Sequence, residues 1–205
     1  MNYTHILYLA SKSPSRQMLL KESRIPFILL PQHADESLCM TGGTIEDTVL
    51  RIAQSKMAHA VLPSHTDSGE TIFVLTADTM VQDAQGVIHG KPVDRADARA
   101  KLIGARQGNY LATAFCVERK KWYNGAWQTD VRIEQIVTSR YLFSIPDQWL
   151  EYYLDTTLGM QCAGAAAVEG FGAQFLKIIE GSHSCIIGLP LYEVRETLEK
   201  LGFFE

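Results

Sequence analysis

The sequence predicts a mixed α/β fold in which helices flank a sheet with a large antiparallel part. Short apolar runs in the first half are typical of buried strands, and apolar residues at helical spacing lie between them. Two long strand-like runs meet at Asn124 and Gly125, a typical hairpin turn. With 205 residues, 46% of them hydrophobic and 20% charged, the chain can form one domain or one core with a sizeable extension, and we expect a single domain over residues 1–205.

In the first half, strands and helices alternate. Strands are predicted at residues 6–10 and 25–30, and in the apolar run IFVLTADTMV, which we expect to end at Asp78. Ser13 before Pro14 is typical of a helix start, because proline fits the first helical position and serine caps it. A long helix is predicted over residues 44–62, where apolar residues recur at helical spacing.

The second half is expected to contain a hairpin and several helices. Residues 83–86 (DAQG) predict a turn, and residues 109–143 predict two long antiparallel strands. Helices are predicted at residues 95–104, at residues 145–155 after Pro146, and at residues 189–202. The stretch from residue 159 to 188 is rich in glycine and alanine.

The composition excludes several classes of partner. A net charge of −4 argues against a broad nucleic-acid surface, which needs an excess of lysine and arginine, but leaves room for a small anion. No apolar run approaches bilayer length, the first residues do not resemble a signal peptide, and the four cysteines form no C-x-x-C pair. We therefore expect a protein of the reducing cytoplasm with no membrane partner.

Two candidate sites follow predicted strands. The turn from Ser11 to Arg16 opens a helix, whose free N–H groups suit phosphate, and Arg16 can add a charge-assisted contact. Asp78 can bind Mg²⁺ or accept a proton from an attacking water. Taken separately, the turn is better explained as the start of a capped surface helix, and Asp78 is explained equally well as a turn residue.

Three further candidates lie elsewhere. Lys91 stands between a glycine and a proline that fix its presentation, and Lys56 lies on the long helix, where a solvated lysine is the plainer interpretation. Glu169 follows the small residues Cys162 to Gly164 and can accept hydrogen bonds from a base edge, or simply cap a turn. Cys162 has no basic neighbour to lower its pKa, which argues against a thiolate nucleophile. The sequence has no Walker loop, no G-x-G-x-x-G motif and no H-E-x-x-H motif.

These segments, taken in order, resemble the signatures of the Maf family of nucleoside triphosphate pyrophosphatases. The matching segments are LASKSPSRQMLL, RIAQSKMAHA, TADTMV, HGKPVDRADA and the block from CAGAAAVEGFG to IIGLPL. The resemblance implies an elongated fold of the inosine-triphosphatase-like superfamily, often dimeric and cytoplasmic. It also implies cleavage between the α- and β-phosphates of a nucleoside triphosphate, with Mg²⁺ or Mn²⁺ as cofactor.

Residue roles come with the resemblance. Asp78 would accept the proton, and Glu36 with Asp78 would hold the metal. The substrate would be bound by Ser11, Arg16, Lys56, Lys91 and Glu169. A phosphoryl-transfer step of this kind needs charge neutralisation and an oriented water more than covalent chemistry from the protein.

The preferred nucleobase is expected to depend on Ser15, Thr79 and Glu169, and these positions do not all resemble the same branch of the family. Thr79 resembles the dTTP/UTP branch of the family, whereas Cys162 to Gly164 and Glu169 resemble the 7-methyl-GTP branch. Ser15 matches neither, since one branch has arginine there and the other tryptophan. A missing cation at Ser15 motivates one alternative, a nucleotide-binding regulator of cell division that does not catalyse.

Overall fold

A computed structural model describes residues 4–40, 42–64 and 70–205, and it confirms the mixed α/β class. Within these residues a seven-stranded sheet has the order β2-β1-β3-β5-β6-β7, with β4 paired to β3. The strands are β1 (Leu7–Leu9), β2 (Phe27–Leu29), β3 (Thr71–Asp83), β4 (Ile88–His89), β5 (Asn109–Tyr123), β6 (Ala126–Phe143) and β7 (Leu176–Gly181). The α-helices are α1 (Pro14–Glu22), α2 (Ile45–Ala58), α3 (Arg95–Gly104), α4 (Leu150–Thr156), α5 (His183–Ile187) and α6 (Leu191–Lys200).

The chain forms two compact units, each with its own buried core. Unit 1 contains residues 1–78, 114–136 and 191–205, and unit 2 contains residues 79–113 and 137–190. Apolar side chains from β1, β3, β5 and α2 meet in unit 1, including Ala10, Val74 and Met57. The prediction of a single domain over residues 1–205 stays a prediction.

In unit 1, β1 lies between β2 and β3 and is parallel to both. Leu9 pairs with Leu29 on one side and with Leu75 on the other. Both faces of this part of the sheet are covered, so Phe73, Val74 and Leu75 are all at most 1% exposed, as expected for parallel strands buried on both sides. Because parallel strands bring their carboxyl ends to one edge, the residues after Leu9 and Leu75 lie on the same side of unit 1.

Several predicted elements are confirmed. The α1 helix begins at Pro14, and Ser13 Oγ accepts a hydrogen bond from the Arg16 N–H. The α3 helix covers residues 95–104 as expected. Asn124 and Gly125 join β5 and β6 with φ angles of 51° and 79°, the left-handed backbone that this two-residue turn requires.

Two predicted boundaries are wrong. The helix predicted to reach residue 62 ends at Ala58, because the next residues pair with the chain after β2: Ala60 bridges Gln32, and the Val61 N–H donates to the Pro31 carbonyl. The strand predicted to end at Asp78 continues to Asp83, and Val81 in this extension pairs with β4. Asp78 therefore lies inside a strand rather than at its end.

The helix expected after Pro146 begins as a 3₁₀ turn, Asp147–Trp149, before α4. In the residues that the structure describes, no helix has the length and apolar character needed to cross a membrane.

Candidate active site

Two carboxylates and one ammonium group meet in unit 1. Lys56 Nζ lies 2.7 Å from Asp78 Oδ1 and 2.9 Å from Glu36 Oε1. The side chains of Lys56 and Asp78 are 8% and 11% exposed, whereas that of Glu36 is 52% exposed. The lysine that the sequence favoured as a solvated helix residue is thus a buried ion-pair partner of Asp78.

The register of α2 against β3 explains why Lys56 faces Asp78. Thr76 Oγ1 donates a hydrogen bond of 2.8 Å to the Ala53 carbonyl, and both residues are fully buried. Residues two apart on a strand share a face, as do residues three apart on a helix. This one contact therefore places Lys56, three residues after Ala53, against Asp78, two residues after Thr76.

The turn between β1 and α1 contributes the second cation. Arg16 Nη1 donates to Ser11 Oγ over 3.1 Å, and Ser11 Oγ also accepts from the Ser13 N–H. Ser11 and Arg16 are 6% and 7% exposed, so the pair is held inside unit 1 rather than in solvent. Ser15 lies beside them on α1 and is 3% exposed.

The electrostatic environment of Asp78 is set by opposing effects. Burial raises the pKa of Asp78 above its ordinary value, and the charges of Lys56 and Arg16 offset part of this rise. Glu36 adds a smaller contribution in the same direction as burial. A carboxylate with a raised pKa is a stronger base, which suits proton abstraction near neutral pH.

Glu36 and Asp78 form a donor set that fits a divalent cation. Their oxygens converge on one positive group, Lys56 Nζ, so they can also converge on a metal ion. Mg²⁺ is usually held by one or two carboxylates together with substrate phosphates and water. Among residues 4–40, 42–64 and 70–205, no set of three or more His, Cys, Asp or Glu side chains is arranged as a metal cage. The donors therefore fit a metal that arrives with a phosphate ligand.

Thr79, the neighbour of Asp78 in the chain, belongs to unit 2. Its Oγ1 lies 2.9 Å from Thr113 Oγ1, which donates to the Cys185 carbonyl over 3.0 Å. Since a carbonyl only accepts, the single hydroxyl proton of Thr113 is used there, and Thr79 is the donor to Thr113. The Thr79 hydroxyl thus connects β3 to β5 and, through Thr113, to α5.

Within unit 2, a backbone hydrogen bond joins the turn that carries Lys91 to the segment Cys162 to Gly164. The Gly164 N–H donates to the Gly90 carbonyl over 3.1 Å, next to the exposed Lys91. A Cβ at Gly164 would lie 3.3 Å from Val81, and the residue has φ +66°, so glycine suits both the space and the backbone there. The turn that carries Lys91 and the segment that leads to Glu169 are therefore one connected structure.

Glu169 ends a loop that a buried tyrosine organises. Tyr153 Oη accepts from the Ala167 N–H over 2.5 Å and lies 3.0 Å from the Ala165 carbonyl. A Cβ on Gly172 would lie 1.8 Å from the Ala167 carbonyl, so only glycine fits there. Glu169 itself is half-buried. The backbone that presents Glu169 is thus fixed by packing and hydrogen bonds.

The predicted site residues fall into two groups. Unit 1 brings together Ser11, Arg16, Glu36, Lys56 and Asp78, with Ser15 beside them; unit 2 contains Thr79, Lys91 and Glu169. Sequence reasoning missed Thr76 and the contacts of Arg51. A threonine inside an apolar strand was the available signal for Thr76, because a buried hydroxyl needs a hydrogen-bond partner.

Comparisons with known proteins agree with these motifs. The family model described as Maf-like protein matches residues 6–201. A dTTP/UTP pyrophosphatase of Geotalea uraniireducens is 34% identical over 97% of this chain and 96% of its own length. A dTTP/UTP pyrophosphatase of Syntrophus aciditrophicus is 35% identical, covering 97% and 91% of the two chains. A nucleoside triphosphate pyrophosphatase of Trichormus variabilis is 34% identical, covering 95% and 93%.

Among solved structures, a HAM1 protein from Coxiella burnetii covers 69% of this chain and 74% of its own, with a TM-score of 0.34 at 11% identity. The family model and the sequence relatives extend over nearly the whole chain. This chain belongs to the family of Maf-like proteins.

Proposed function

We propose that this chain hydrolyses nucleoside triphosphates to the monophosphate and pyrophosphate, with Asp78 as the base. The observation that carries the proposal is the cluster of the buried Asp78 and Lys56 with the half-exposed Glu36, with Arg16 close enough to affect Asp78. It combines a basic carboxylate with two cations. Relatives over nearly the full length are named as pyrophosphatases of nucleoside triphosphates.

The reaction needs few groups. A water molecule loses a proton to Asp78 and attacks the α-phosphorus, the bond from that phosphorus to the bridging oxygen breaks, and pyrophosphate leaves. Lys56 and Arg16 would place positive charge against the phosphates, and Ser11 would hold the arginine in place through the hydrogen bond between them. Lys91, exposed at its turn, is proposed as a further phosphate ligand because it matches the family motif.

Glu36 and Asp78 would hold the divalent cation, Mg²⁺ or Mn²⁺. When bound, the metal neutralises phosphate charge and polarises the phosphoryl oxygens. Asp78 has two oxygens, of which Oδ1 already faces Lys56. An ionised carboxylate has about four lone-pair sites on its two oxygens, so Asp78 can pair with Lys56, bind the metal and still accept a hydrogen bond from a water molecule.

Two observations bear on which nucleobase the substrate carries. The relatives from Geotalea and Syntrophus are named for dTTP and UTP, and Thr79 resembles the same branch of the family. Glu169 instead favours a guanine-type base, because a carboxylate accepts from the ring N–H and the exocyclic amine together. We propose UTP and dTTP as the first substrates to test, with 7-methyl-GTP and GTP as the second pair. A cytoplasmic location and a homodimer are proposed from the family resemblance alone.

Hydrolysis in ¹⁸O-labelled water tests the reaction. Attack at the α-phosphorus puts the label in the nucleoside monophosphate, and attack at the β-phosphorus puts it in pyrophosphate. Asp78→Asn should lose turnover by about 10³-fold or more, as expected for a base in a step of this kind. Asp130→Asn is the matched control, because Asp130 pairs with Arg119 and Lys121 on the surface.

Release of single phosphates by the unmodified protein would contradict the proposal. Tight triphosphate binding without turnover in Mg²⁺ or Mn²⁺ would instead support the non-catalytic regulator, whose motivation is the missing cation at Ser15. Full activity of Asp78→Asn would leave the reaction in place and remove Asp78 as its base.

A further inference from the structure

Arg51 of α2 binds the segment that carries Glu36. Its Nε donates to the Cys39 carbonyl over 3.1 Å, and its Nη2 donates to the Gly42 carbonyl over 2.6 Å. Nη2 also donates to Thr48 Oγ1 over 3.1 Å, on the preceding turn of the helix. In return, the Cys39 thiol lies 3.7 Å from the Arg51 carbonyl. The guanidinium group therefore fastens the end of the 3₁₀ turn Glu36–Cys39 to α2.

Apolar packing contributes little to this segment. Among the described residues from 33 to 43, Cys39 is the only buried one, whereas Leu38 is 74% exposed and Met40 is 52% exposed. Glu36 is itself half-exposed and forms an ion pair with Lys56. The position of Glu36 thus depends on polar contacts with α2 much more than on a core.

Polar contacts hold the segment on both sides of Glu36. Near the C-terminus of α2, Gln32 bridges Ala60 and the His33 N–H donates to the His59 carbonyl. From the middle of α2, Arg51 donates to the carbonyls of Cys39 and Gly42. Glu36 lies between the two attachments, so loss of the Arg51 contacts would release it on one side.

We propose that Arg51 is a positioning residue that fixes Glu36 for metal binding, an inference that rests on the proposed role of Glu36. The planar fork of an arginine reaches two carbonyls and a hydroxyl at once, whereas a lysine ammonium cannot reproduce this geometry. Groups that orient metal ligands without touching the metal commonly change metal affinity by about 10- to 100-fold when they are removed. Arg51 acts on the cofactor through Glu36 and not on the phosphates.

The variant Arg51→Lys tests this role, because it keeps the charge and the helix propensity. Two quantities are measured: the Mg²⁺ concentration that gives half-maximal pyrophosphate release, and amide hydrogen exchange of the peptide covering residues 36–43 in metal-free, nucleotide-free protein. Arg195→Lys is the matched control, since Arg195 lies on α6 in unit 1 and forms a surface pair with Glu199. Melting temperatures of all three proteins show whether each is folded.

For Arg51→Lys we expect faster exchange in residues 36–43 and a half-activating Mg²⁺ concentration raised about 10-fold or more. The turnover number at saturating Mg²⁺ should return to within about twofold of the parent value, because the ligand is displaced and not lost. Arg195→Lys should match the parent in every measurement. A raised KM for the nucleotide at saturating Mg²⁺, with unchanged exchange and unchanged Mg²⁺ dependence, would overturn the proposal and make Arg51 a phosphate ligand.

The two proposals can fail separately. If the parent protein releases no pyrophosphate with any divalent metal, the proposed function fails, and hydrogen exchange still decides whether Arg51 holds the segment. If the parent is active and Arg51→Lys exchanges like the parent, the positioning role fails and the function stands.

Discussion

Thr76 Oγ1 donates a 2.8 Å hydrogen bond to the Ala53 carbonyl, and this contact determines which residue of α2 faces Asp78. The two groups are fully buried, so water cannot replace either partner. Lys56 is one helical turn beyond Ala53, and its ion pair with Asp78 follows from the same register. Thr76 would not touch the substrate, yet it sets the relative positions of Lys56 and Asp78, which are proposed to do so.

Thr76→Val is expected to lower kcat/KM by about 10-fold or more, because a small displacement of Lys56 relative to Asp78 weakens an arrangement that depends on position. Valine has nearly the same shape, so the free energy of unfolding should fall by only about 1 kcal/mol. Steady-state kinetics and urea unfolding measure the two effects. Thr197→Val is the control, since Thr197 is also fully buried and accepts a hydrogen bond from Gln135 within unit 1. Equal losses of activity in both variants would argue against the register role.

Glu118→Gln is expected to lower the free energy of unfolding by about 3 kcal/mol, because it breaks a buried charge network. The Glu118 carboxylate is 5% exposed, pairs with Lys120, accepts from Thr129 over 2.9 Å and lies 3.4 Å from Arg132. Removing its charge leaves the buried Lys120 ammonium without its ion-pair partner. Urea unfolding measures the change. The control variant Asp130→Asn, on the surface of β6, should change the free energy of unfolding only slightly. A loss for Glu118→Gln no larger than that of the control would mean that the network contributes nothing to stability.

Cys116 should resist alkylation at pH 8 in the folded protein. Burial raises the pKa of the Cys116 thiol to about 12; the nearby Arg132 opposes the rise, and the charges of Glu118 and Glu134 add to it. The thiolate fraction at pH 8 is therefore on the order of 10⁻⁴, and the thiolate is the reactive form. Mass spectrometry after brief iodoacetamide treatment measures the modification. Cys162, which is half-buried, serves as the internal comparison.

The raised pKa of the Cys116 thiol stabilises the folded protein at lower pH, and this contribution is lost as the pH rises. Its pKa is about 9 in the unfolded chain and about 12 in the folded protein, so the folded state binds more protons between these values. This contribution is complete below pH 9 and is lost as the pH rises towards 12. Cys116→Ser should remove this part of the decline in unfolding free energy above pH 9. An unchanged alkaline slope in Cys116→Ser would contradict the assignment.

The sequence predicts some parts of the structure much better than others. The predicted bounds of α3 were right to the residue, and Asn124-Gly125 marked the β5–β6 turn, because helix ends and hairpin turns depend on local rules. The end of α2 was missed, because it depends on pairing between Ala60 and the distant Gln32. The motifs indicated Asp78 and Lys56, but nothing local shows that Lys56 is buried between two carboxylates or that Arg51 binds backbone carbonyls. Those facts depend on tertiary packing, which one sequence does not display.

Tyr153→Phe tests whether the loop before Glu169 controls which nucleobase the protein prefers in its substrate. The Tyr153 hydroxyl accepts from the Ala167 N–H and lies within hydrogen-bond distance of the Ala165 carbonyl, and the tyrosine is fully buried. Deleting it leaves buried backbone groups unpaired, which costs about 1–3 kcal/mol and loosens the loop. We expect a smaller ratio of kcat/KM between the best and the worst nucleotide in a panel of UTP, dTTP, GTP and 7-methyl-GTP.

Gly104→Ala is a control of the opposite kind, because the added methyl group meets nothing within 4 Å at the end of α3. It should leave the discrimination unchanged and stabilise the protein slightly, since alanine has the higher helix propensity. If Tyr153→Phe destabilises the protein and yet keeps the parent's nucleotide ratios, the loop geometry does not select the base, and Glu169 loses its main structural support as a specificity residue. A reduced ratio with kcat for the best substrate retained would place the selection in this loop, apart from the chemistry at Asp78.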